Sequence, residues 1–148
     1  MSLRFRELIE IQLKERYKHC VIYSLPMTGV TSFGKQICKK YDGYYLDVLQ
    51  EVNKDEDISN SLGMFYPEDF FKWLKKYNNE KNFIVIDNFD FLINTWRSDQ
   101  EEIFLNLVEK QESEVMYIFL IQQRKFITKR IIENIMGKSR IINLYEIN

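Results

Sequence analysis

The feature that most constrains this chain is a regular alternation of short apolar runs with longer segments of helical spacing. Helical spacing is found at about 3–18, 31–41, 67–77, 95–110 and 125–136. Between and after these segments stand five runs typical of buried strands: HCVIYSL, YYLDVL, NFIVID, VMYIFLIQQ and RIINLYEI. Strands that alternate with helices form a parallel sheet that helices cover on both faces. The sequence therefore predicts an α/β fold, a three-layer α/β/α sandwich around a five-stranded parallel sheet.

The length and composition of the chain fit one domain. Of its 148 residues, 45% are hydrophobic and 29% are charged, which is enough for both a core and a solvated surface. We expect a single domain over residues 1–148, with an N-terminal helix over 1–18 and an α/β core over 19–148. The polar stretch QEVNKDEDISNSLG is predicted to be a loop with about one helical turn.

The composition also narrows the class of function. A formal net charge of −1 provides no overall attraction for nucleic acid or an anionic membrane. Two cysteines and one histidine are too few for a four-ligand zinc site without carboxylates, and Cys20 and Cys38 are expected to be buried thiols in a reducing compartment. His19 precedes a strand with no serine or cysteine nucleophile arranged around it, so it is expected to have no catalytic role. No apolar run approaches the ~20 residues that span a bilayer, and no signal peptide is visible. We expect a cytoplasmic protein that does not contact a membrane.

The segment SLPMTGVTS, residues 24–32, joins the first strand to a helix and matches part of a phosphate-binding loop. Such loops follow the pattern G-x-x-x-x-G-K-[ST], in which unpaired backbone N–H groups and a lysine contact phosphate and the hydroxyl holds Mg²⁺. Aligned from Ser24 to Thr31, the chain keeps Gly29 and Thr31. It has Ser24 in place of the first glycine and Val30 in place of the lysine.

A second alignment, from Gly29 to Gln36, keeps Gly34 and Lys35 but places Gln36 at the hydroxyl position. It leaves a gap after the strand and shortens the following helix to about two turns. The first alignment is therefore favoured, and under it Lys35 is expected to face solvent.

In the first alignment, YSLPMTGVTSFGKQICKKYDGYYLDVL resembles the first strand, phosphate loop, helix and second strand of the AAA-type P-loop ATPases. In that family the loop often has proline at its third position and Thr-Gly before the lysine, as Pro26 and Thr28-Gly29 are placed here. FIVIDNFDFL resembles the Walker B strand, IFLIQQ the next strand, and IMGKSRIINLYEI the approach to the fifth strand. The resemblance covers about residues 17–148 and implies the sheet order 5-1-4-3-2.

The resemblance implies a nucleotide site that takes ATP or ADP with Mg²⁺. Its phosphate-binding residues would be Ser24, Pro26, Met27, Thr28, Gly29, Val30, Thr31 and Ser32. Thr31 and Asp87 would hold the metal, with Asp87 in the place of the acid that orients Mg²⁺ and its waters.

Two further roles follow from the same resemblance. A polar sensor at the end of the fourth strand would be Gln122, or alternatively Gln123. An arginine finger offered to a neighbouring subunit would be Arg140, or less favourably Arg130.

Two departures from the family indicate a degenerate site. Without the lysine, Val30 leaves out a charge-assisted contact of about 1.5–3 kcal/mol, which weakens triphosphate binding by one or two orders of magnitude. Asn88 stands where the family has its catalytic glutamate, and loss of a general base costs about 10²–10⁴ in rate. Asp90 is expected to point elsewhere. The chain also ends shortly after the fifth strand, so the helical lid of the family is expected to be missing.

The segment from 124 to 140 has a local excess of about five positive charges. It is interpreted either as a solvated helix face or as a surface for DNA phosphates or an acidic partner. The residues that would contact DNA are Arg124, Lys125, Lys129 and Arg130.

A lidless core with a degenerate loop most resembles the BrxF family of small P-loop proteins in type III BREX phage-defence systems. This resemblance implies an assembly or regulatory subunit that acts with other subunits of a defence system, with weak or no hydrolysis. One alternative is an active ATPase or nucleotide switch that a homo-oligomer completes in trans. The other is a DNA-binding adaptor that uses a basic helix over 124–140.

Overall fold

The computed structural model of the chain describes residues 4–147. The parts of the predicted domain and of the predicted N-terminal helix that fall on residues 1–3 and 148 lie outside this range. Within it, none of the helices has the length and apolar character needed to cross a bilayer.

Five parallel strands form one sheet in the order β2-β3-β4-β1-β5. The strands are β1 Cys20–Ser24, β2 Gly43–Asp47, β3 Phe83–Asp87, β4 Met116–Gln122 and β5 Ile141–Asn143. The order is 5-1-4-3-2 counted from the other edge. The predicted fold class and strand order are therefore confirmed.

Helices lie on both faces of the sheet. They are α1 Phe5–Gln12, α2 Val30–Tyr41, α3 Val48–Asn53, α4 Glu56–Ser59, α5 Pro67–Leu74, α6 Asp90–Ile93, α7 Ser98–Lys110 and α8 Lys125–Thr128. Three short 3₁₀ turns complete the set: Leu62–Met64, Lys75–Tyr77 and Leu144–Glu146. Pro67 begins α5 as predicted, because proline has no N–H to lose at a helix start.

The two faces of the sheet pack into separate apolar clusters. On one face, α1 and α2 cover alternate strand residues such as Ile22, Val85 and Leu120. On the other face, the intervening strand residues pack with α5 and α7, where phenylalanine and tryptophan rings make many edge and tilted contacts. The strands are hydrophobic on both sides because both sides are covered.

Gly34 brings α2 close to the sheet. A Cβ atom added at this residue would lie 2.7 Å from Leu120 Cδ1 and 3.1 Å from Val85 Cγ1. The helix that follows the candidate phosphate loop is therefore seated directly on β3 and β4, the strands that carry the other candidate site residues.

Two predicted segments differ from the structure. The polar stretch at 50–63 is largely helical, because Asp47 caps α3 by accepting from Gln50 N and Asp55 caps α4 by accepting from Ile58 N. The predicted helix over 125–136 stops at Thr128. Beyond it, Asn134 Oδ1 accepts hydrogen bonds from two backbone N–H groups, of Met136 and Lys138, and holds a turn where a helix was predicted.

The N-terminal helix is also shorter than predicted. It ends at Gln12, and residues 13–18 form turns that lead into β1. The side chain of Gln12 donates to Lys18 O over 3.1 Å, which closes this connection against the start of the sheet.

Candidate functional site

A cavity of about 460 Å³ opens at the carboxyl ends of β1, β3 and β4. The loop over 24–32 forms one wall, and residues at the ends of β3 and β4 form the other: Asp87, Asn88, Asp90, Leu120, Ile121 and Gln122. In open α/β sheets, ligands bind in the crevice outside the carboxyl ends of the strands. The structure thus brings the loop, the acid and the predicted sensor Gln122 around one space.

The start of helix α2 agrees with the first alignment of the loop and not with the second. Helix α2 begins at Val30, with Gly29 as its N-cap in a left-handed conformation at φ 84°. Thr28 Oγ1 donates to Leu25 O over 2.6 Å and closes the preceding turn. The second alignment would start the helix several residues later, so it is wrong. Lys35 is exposed, as expected, and its Nζ lies 5.3 Å from the ring centroid of Tyr45.

The cavity offers hydrogen-bond donors to an anion. An α-helix leaves its first N–H groups without intrahelical acceptors, and in α2 these belong to Val30, Thr31 and Ser32, which line the cavity. Ser24 adds a hydroxyl from the end of β1. It is 1% exposed, and its Oγ has no hydrogen-bond partner within residues 4–147. A buried hydroxyl without a partner in a cavity wall is a donor available to a ligand.

The side chains that line the same cavity carry no positive charge within residues 4–147. Among the described residues that line it there is no lysine, arginine or histidine, but there are two carboxylates, Asp87 and Asp90. Val30, at the lysine position, is partly buried and packs against the apolar cluster between α1, α2 and the sheet. The backbone of the loop therefore suits an anion, whereas the side chains around it do not.

Asp87 is held by three hydrogen bonds. Thr31 Oγ1 and the Tyr45 hydroxyl each donate to Asp87 Oδ2 over 2.6 Å, and Asn88 N donates to Oδ1 over 2.8 Å. Only 3% of Asp87 is exposed. Burial, followed by the hydrogen bond to Asp87, raises the pKa of Tyr45, so its hydroxyl stays protonated and donates. Sequence reasoning missed Tyr45, because nothing in the spacing of β2 relates it to the end of β3.

The predicted metal pair is brought together, but its polar atoms are already engaged with each other. A carboxylate has about four acceptor positions, and protein donors use both positions on Asp87 Oδ2. Over residues 4–147, no group of three or more His, Cys, Asp or Glu side chains is placed to hold a metal ion. In this arrangement Asp87 Oδ2 does not fit a directly bound Mg²⁺, whereas Thr31 Oγ1, which donates its proton to Asp87, keeps its acceptor lone pairs.

Asn88 adopts a left-handed backbone conformation at φ 59°. Asparagine tolerates this region better than most residues with a side chain. Its amide lines the cavity at the position of the family's glutamate and has no basic atom to accept a proton.

Asp90 lines the cavity, contrary to the expectation that it would point elsewhere. Its Oδ1 accepts from Gln122 N and from Arg124 Nη2, both over 3.1 Å. Arg124 Nη1 also donates to Asn94 Oδ1 over 2.8 Å. This network ties the end of β4 to α6 and partly neutralises Asp90, leaving Asp87 as the carboxylate without a cationic partner at the site.

The prediction that Arg140 serves a neighbouring subunit is wrong. Only 2% of Arg140 is exposed. Its Nε donates to His19 O over 2.9 Å, and its Nη1 and Nη2 donate to Glu109 O and Val108 O over 3.1 and 2.7 Å. These carbonyls lie just before β1 and in the last turn of α7, where the partial negative charge of a helix attracts a cation. Arg140 therefore joins elements inside the molecule.

Arg130, the second candidate for the same role, is also engaged. Its guanidinium donates to Glu102 Oε1, Asn106 Oδ1 and Glu109 Oε1 over 2.8–3.0 Å. With Arg124 bound to Asp90, the three arginines of the basic segment have partners within the fold. The continuous basic helix that the DNA-binding alternative requires is not formed, and Lys125, Lys129 and Lys138 remain as exposed cations there.

The predicted burial of both cysteines is confirmed. Burial raises the pKa of the Cys20 thiol to about 12 and that of Cys38 to about 11, so both stay neutral. His19 is fully buried and stacks on the ring of Tyr117 with centroids 4.5 Å apart. Its Nδ1 accepts from Tyr117 N over 2.9 Å, and burial lowers its pKa to about 3.

Comparisons of the chain with protein-family models, with curated proteins and with solved structures found no match.

Proposed function

We propose that this chain is a degenerate P-loop NTPase-like subunit, which binds a nucleotide phosphate weakly and hydrolyses it slowly or not at all. The observation that carries the proposal is a phosphate-type loop whose cavity is lined, in the described part of the chain, by two carboxylates and by no cationic side chain. Such a site keeps the shape of a nucleotide site and lacks most of its chemistry.

Three features support phosphate as the ligand. The loop ends in a left-handed glycine at the start of a twelve-residue helix, so backbone N–H groups and the positive end of the helix dipole face the cavity. The partnerless hydroxyl of Ser24 adds a donor at the opposite end of the loop. The volume of about 460 Å³ lies within the range of small-molecule sites.

Two features support weak binding and slow turnover. The missing lysine removes a charge-assisted contact, and the unpaired carboxylate of Asp87 repels an anion at short range. Asn88 offers no base to activate water, and the arginine proposed for a neighbour's site is buried.

A site of this kind suits an assembly or regulatory component better than an enzyme. The resemblance to the BrxF family extends the proposal to a cytoplasmic subunit of a bacterial, BREX-like phage-defence system. Its partners would then be larger proteins of that system.

Calorimetric titration with ADP and with ATP–Mg²⁺ tests this proposal. We expect weak heats with either ligand and no measurable phosphate release over hours. Clear ATP hydrolysis that the substitution Asp87→Ala abolishes would contradict it. Complete absence of binding by phosphate, ADP and ATP would contradict the proposal that the site takes a nucleotide phosphate, and only the fold would remain established.

A further inference from the structure

The Tyr45 hydroxyl occupies one of the two acceptor positions of Asp87 that lie nearest the candidate phosphate loop. Tyr45 stands on β2, two residues before Asp47, and Asp47 pairs in register with Asp87 on β3. Its hydroxyl donates to Asp87 Oδ2 over 2.6 Å, the same length as the hydrogen bond from Thr31 to that oxygen. Two hydroxyl groups from different elements therefore converge on one carboxylate oxygen.

This arrangement satisfies the carboxylate without a cation. Oδ2 has two donors, and Oδ1 accepts from Asn88 N, so three of about four acceptor positions are filled by the protein itself. A cation that binds Asp87 Oδ2, or a water of its hydration shell that donates to it, requires one of these hydroxyls to leave. Thr31 follows directly from the loop and remains at the site in either case, which makes Tyr45 the group that a cation must displace.

We propose that Tyr45 keeps divalent cations off Asp87 Oδ2. The inference rests on the proposed function in that it concerns the same phosphate-type site, and it adds a reason for the weakness of that site. A phosphate ligand normally brings Mg²⁺ with it, and the cation would offset the charge of Asp87. With the phenol in place, Asp87 accepts hydrogen bonds from the protein only. A phosphate ligand is then close to the negative charge of Asp87, with no metal ion to offset it.

The phenol is well placed to persist in this role. Tyr45 is half-buried on an edge strand, and its ring lies beneath the ammonium of Lys35, whose Nζ is 5.3 Å from the ring centroid. Packing on one face and a short hydrogen bond at the tip keep few rotamers accessible. Displacing the hydroxyl costs a hydrogen bond to a charged group, which corresponds to about ten-fold or more in cation affinity.

A merely structural role for Tyr45 predicts the opposite change in cation affinity when its hydroxyl is removed. If the phenol served only to position Asp87, its removal would disorder the acid and weaken any cation binding. If it excludes cations, its removal frees an acceptor position and strengthens cation binding. The direction of the change therefore decides between the two roles.

The test uses Mn²⁺ as the probe, with free Mn²⁺ measured by electron paramagnetic resonance, alone and with ADP. The variants are Tyr45→Phe and the matched control Tyr44→Phe, which removes a hydroxyl from the exposed neighbour on the same strand. We expect Tyr45→Phe to bind Mn²⁺ about ten-fold more tightly than the wild type, and Tyr44→Phe to match the wild type. Adding Asp87→Asn to Tyr45→Phe should remove the gain.

The outcomes separate this inference from the proposed function. Unchanged or weaker Mn²⁺ binding by Tyr45→Phe, or no Mn²⁺ binding by any variant, overturns the inference. In that case, ADP binding without metal, measured by calorimetry, would still support the proposed function. A gain in Mn²⁺ affinity without ADP binding by any variant supports the inference and contradicts the proposed function. Thermal unfolding checks that each variant is folded, and Tyr45→Leu, which also lacks the hydroxyl, replaces Tyr45→Phe if that variant is not.

Discussion

Thr31 and Asp87 lie 56 positions apart in the chain and share a hydrogen bond of 2.6 Å between Thr31 Oγ1 and Asp87 Oδ2. The first residue stands in the opening turn of α2 and the second at the end of β3. The bond joins the candidate phosphate loop to the acid across the sheet. It also means that the two residues predicted to hold a metal are satisfied by one another and by Tyr45.

The missing lysine should be the largest single cause of weak ligand binding. We expect Val30→Lys to tighten ADP binding by about ten- to a hundred-fold, because it adds a charge-assisted contact to phosphate. The measurement is calorimetric titration with ADP without metal. Val30→Met is the matched control, since it adds length without charge and should leave the affinity near that of the wild type. Equal affinities for the lysine and methionine variants would refute the explanation.

Arg140 should be essential for stability and not for ligand binding. Arg140→Met leaves three backbone carbonyls near a buried apolar side chain without their donors, so we expect the free energy of unfolding to fall by about 3 kcal/mol or more. Urea unfolding measures this. Lys138→Met, at an exposed position nearby, should change stability by less than about 0.5 kcal/mol. A similar small loss for Arg140→Met would show that the guanidinium contacts are not formed in solution.

His19 should make the fold sensitive to mild acid. Burial lowers its pKa to about 3 in the folded chain, against the ordinary value of 6.5 for histidine. Between these two values the unfolded chain binds a proton that the folded chain does not, so stability falls as the pH falls from about 6.5 toward 3. The contribution is about 1.4 kcal/mol per pH unit.

Urea unfolding at pH 7, 6 and 5 tests the role of His19 by comparison with His19→Gln. The glutamine keeps a hydrogen-bond acceptor but does not titrate. We expect the stability of the wild type to fall more steeply than that of the variant below about pH 6.5. Parallel pH profiles would mean that His19 becomes protonated in the folded protein or is less buried than described.

Gly34, the glycine of α2, should not tolerate a side chain. A Cβ there would come within 2.7 Å of Leu120 Cδ1, and overpacking of this kind costs about 1–3 kcal/mol, more than the helix gains from alanine. We expect Gly34→Ala to lower the free energy of unfolding by about 1–2 kcal/mol. Gly63→Ala is the control, because no atom lies within 4 Å of its added Cβ. Stabilisation by Gly34→Ala would show that α2 has room to move away from the sheet.

Long periodic segments and their order could be predicted from the sequence, whereas short polar segments could not. The strands and the helix after the loop have a strong apolar period, and their bounds differ from the predicted ones by only a few residues. The segments at 50–63 and 125–136 depended on single capping side chains, such as Asp55 and Asn134, that decide between helix and turn. Asparagine and aspartate are common both at helix starts and in turns, so their presence in the sequence does not tell which of the two forms.

For the candidate site, the loop from Ser24 to Ser32, the acid Asp87 and Gln122 line one cavity, because they stand at the ends of strands whose order is predictable. The partners of those residues were not. Tyr45, the Asp90–Arg124 pair and the burial of Arg140 each depend on contacts between elements distant in sequence.

The sequence by itself determined the alternation of strands and helices, the helix that follows the loop and the valine at position 30, since each depends on residue types within a few positions of one another. Only the tertiary structure decided which groups meet at the carboxyl edge of that sheet. Electrostatic interactions and hydrogen bonds depend on distances in space, and strand order and register set these distances. For this reason the donors to Asp87 Oδ2 are Thr31 and Tyr45, which are distant from it in sequence.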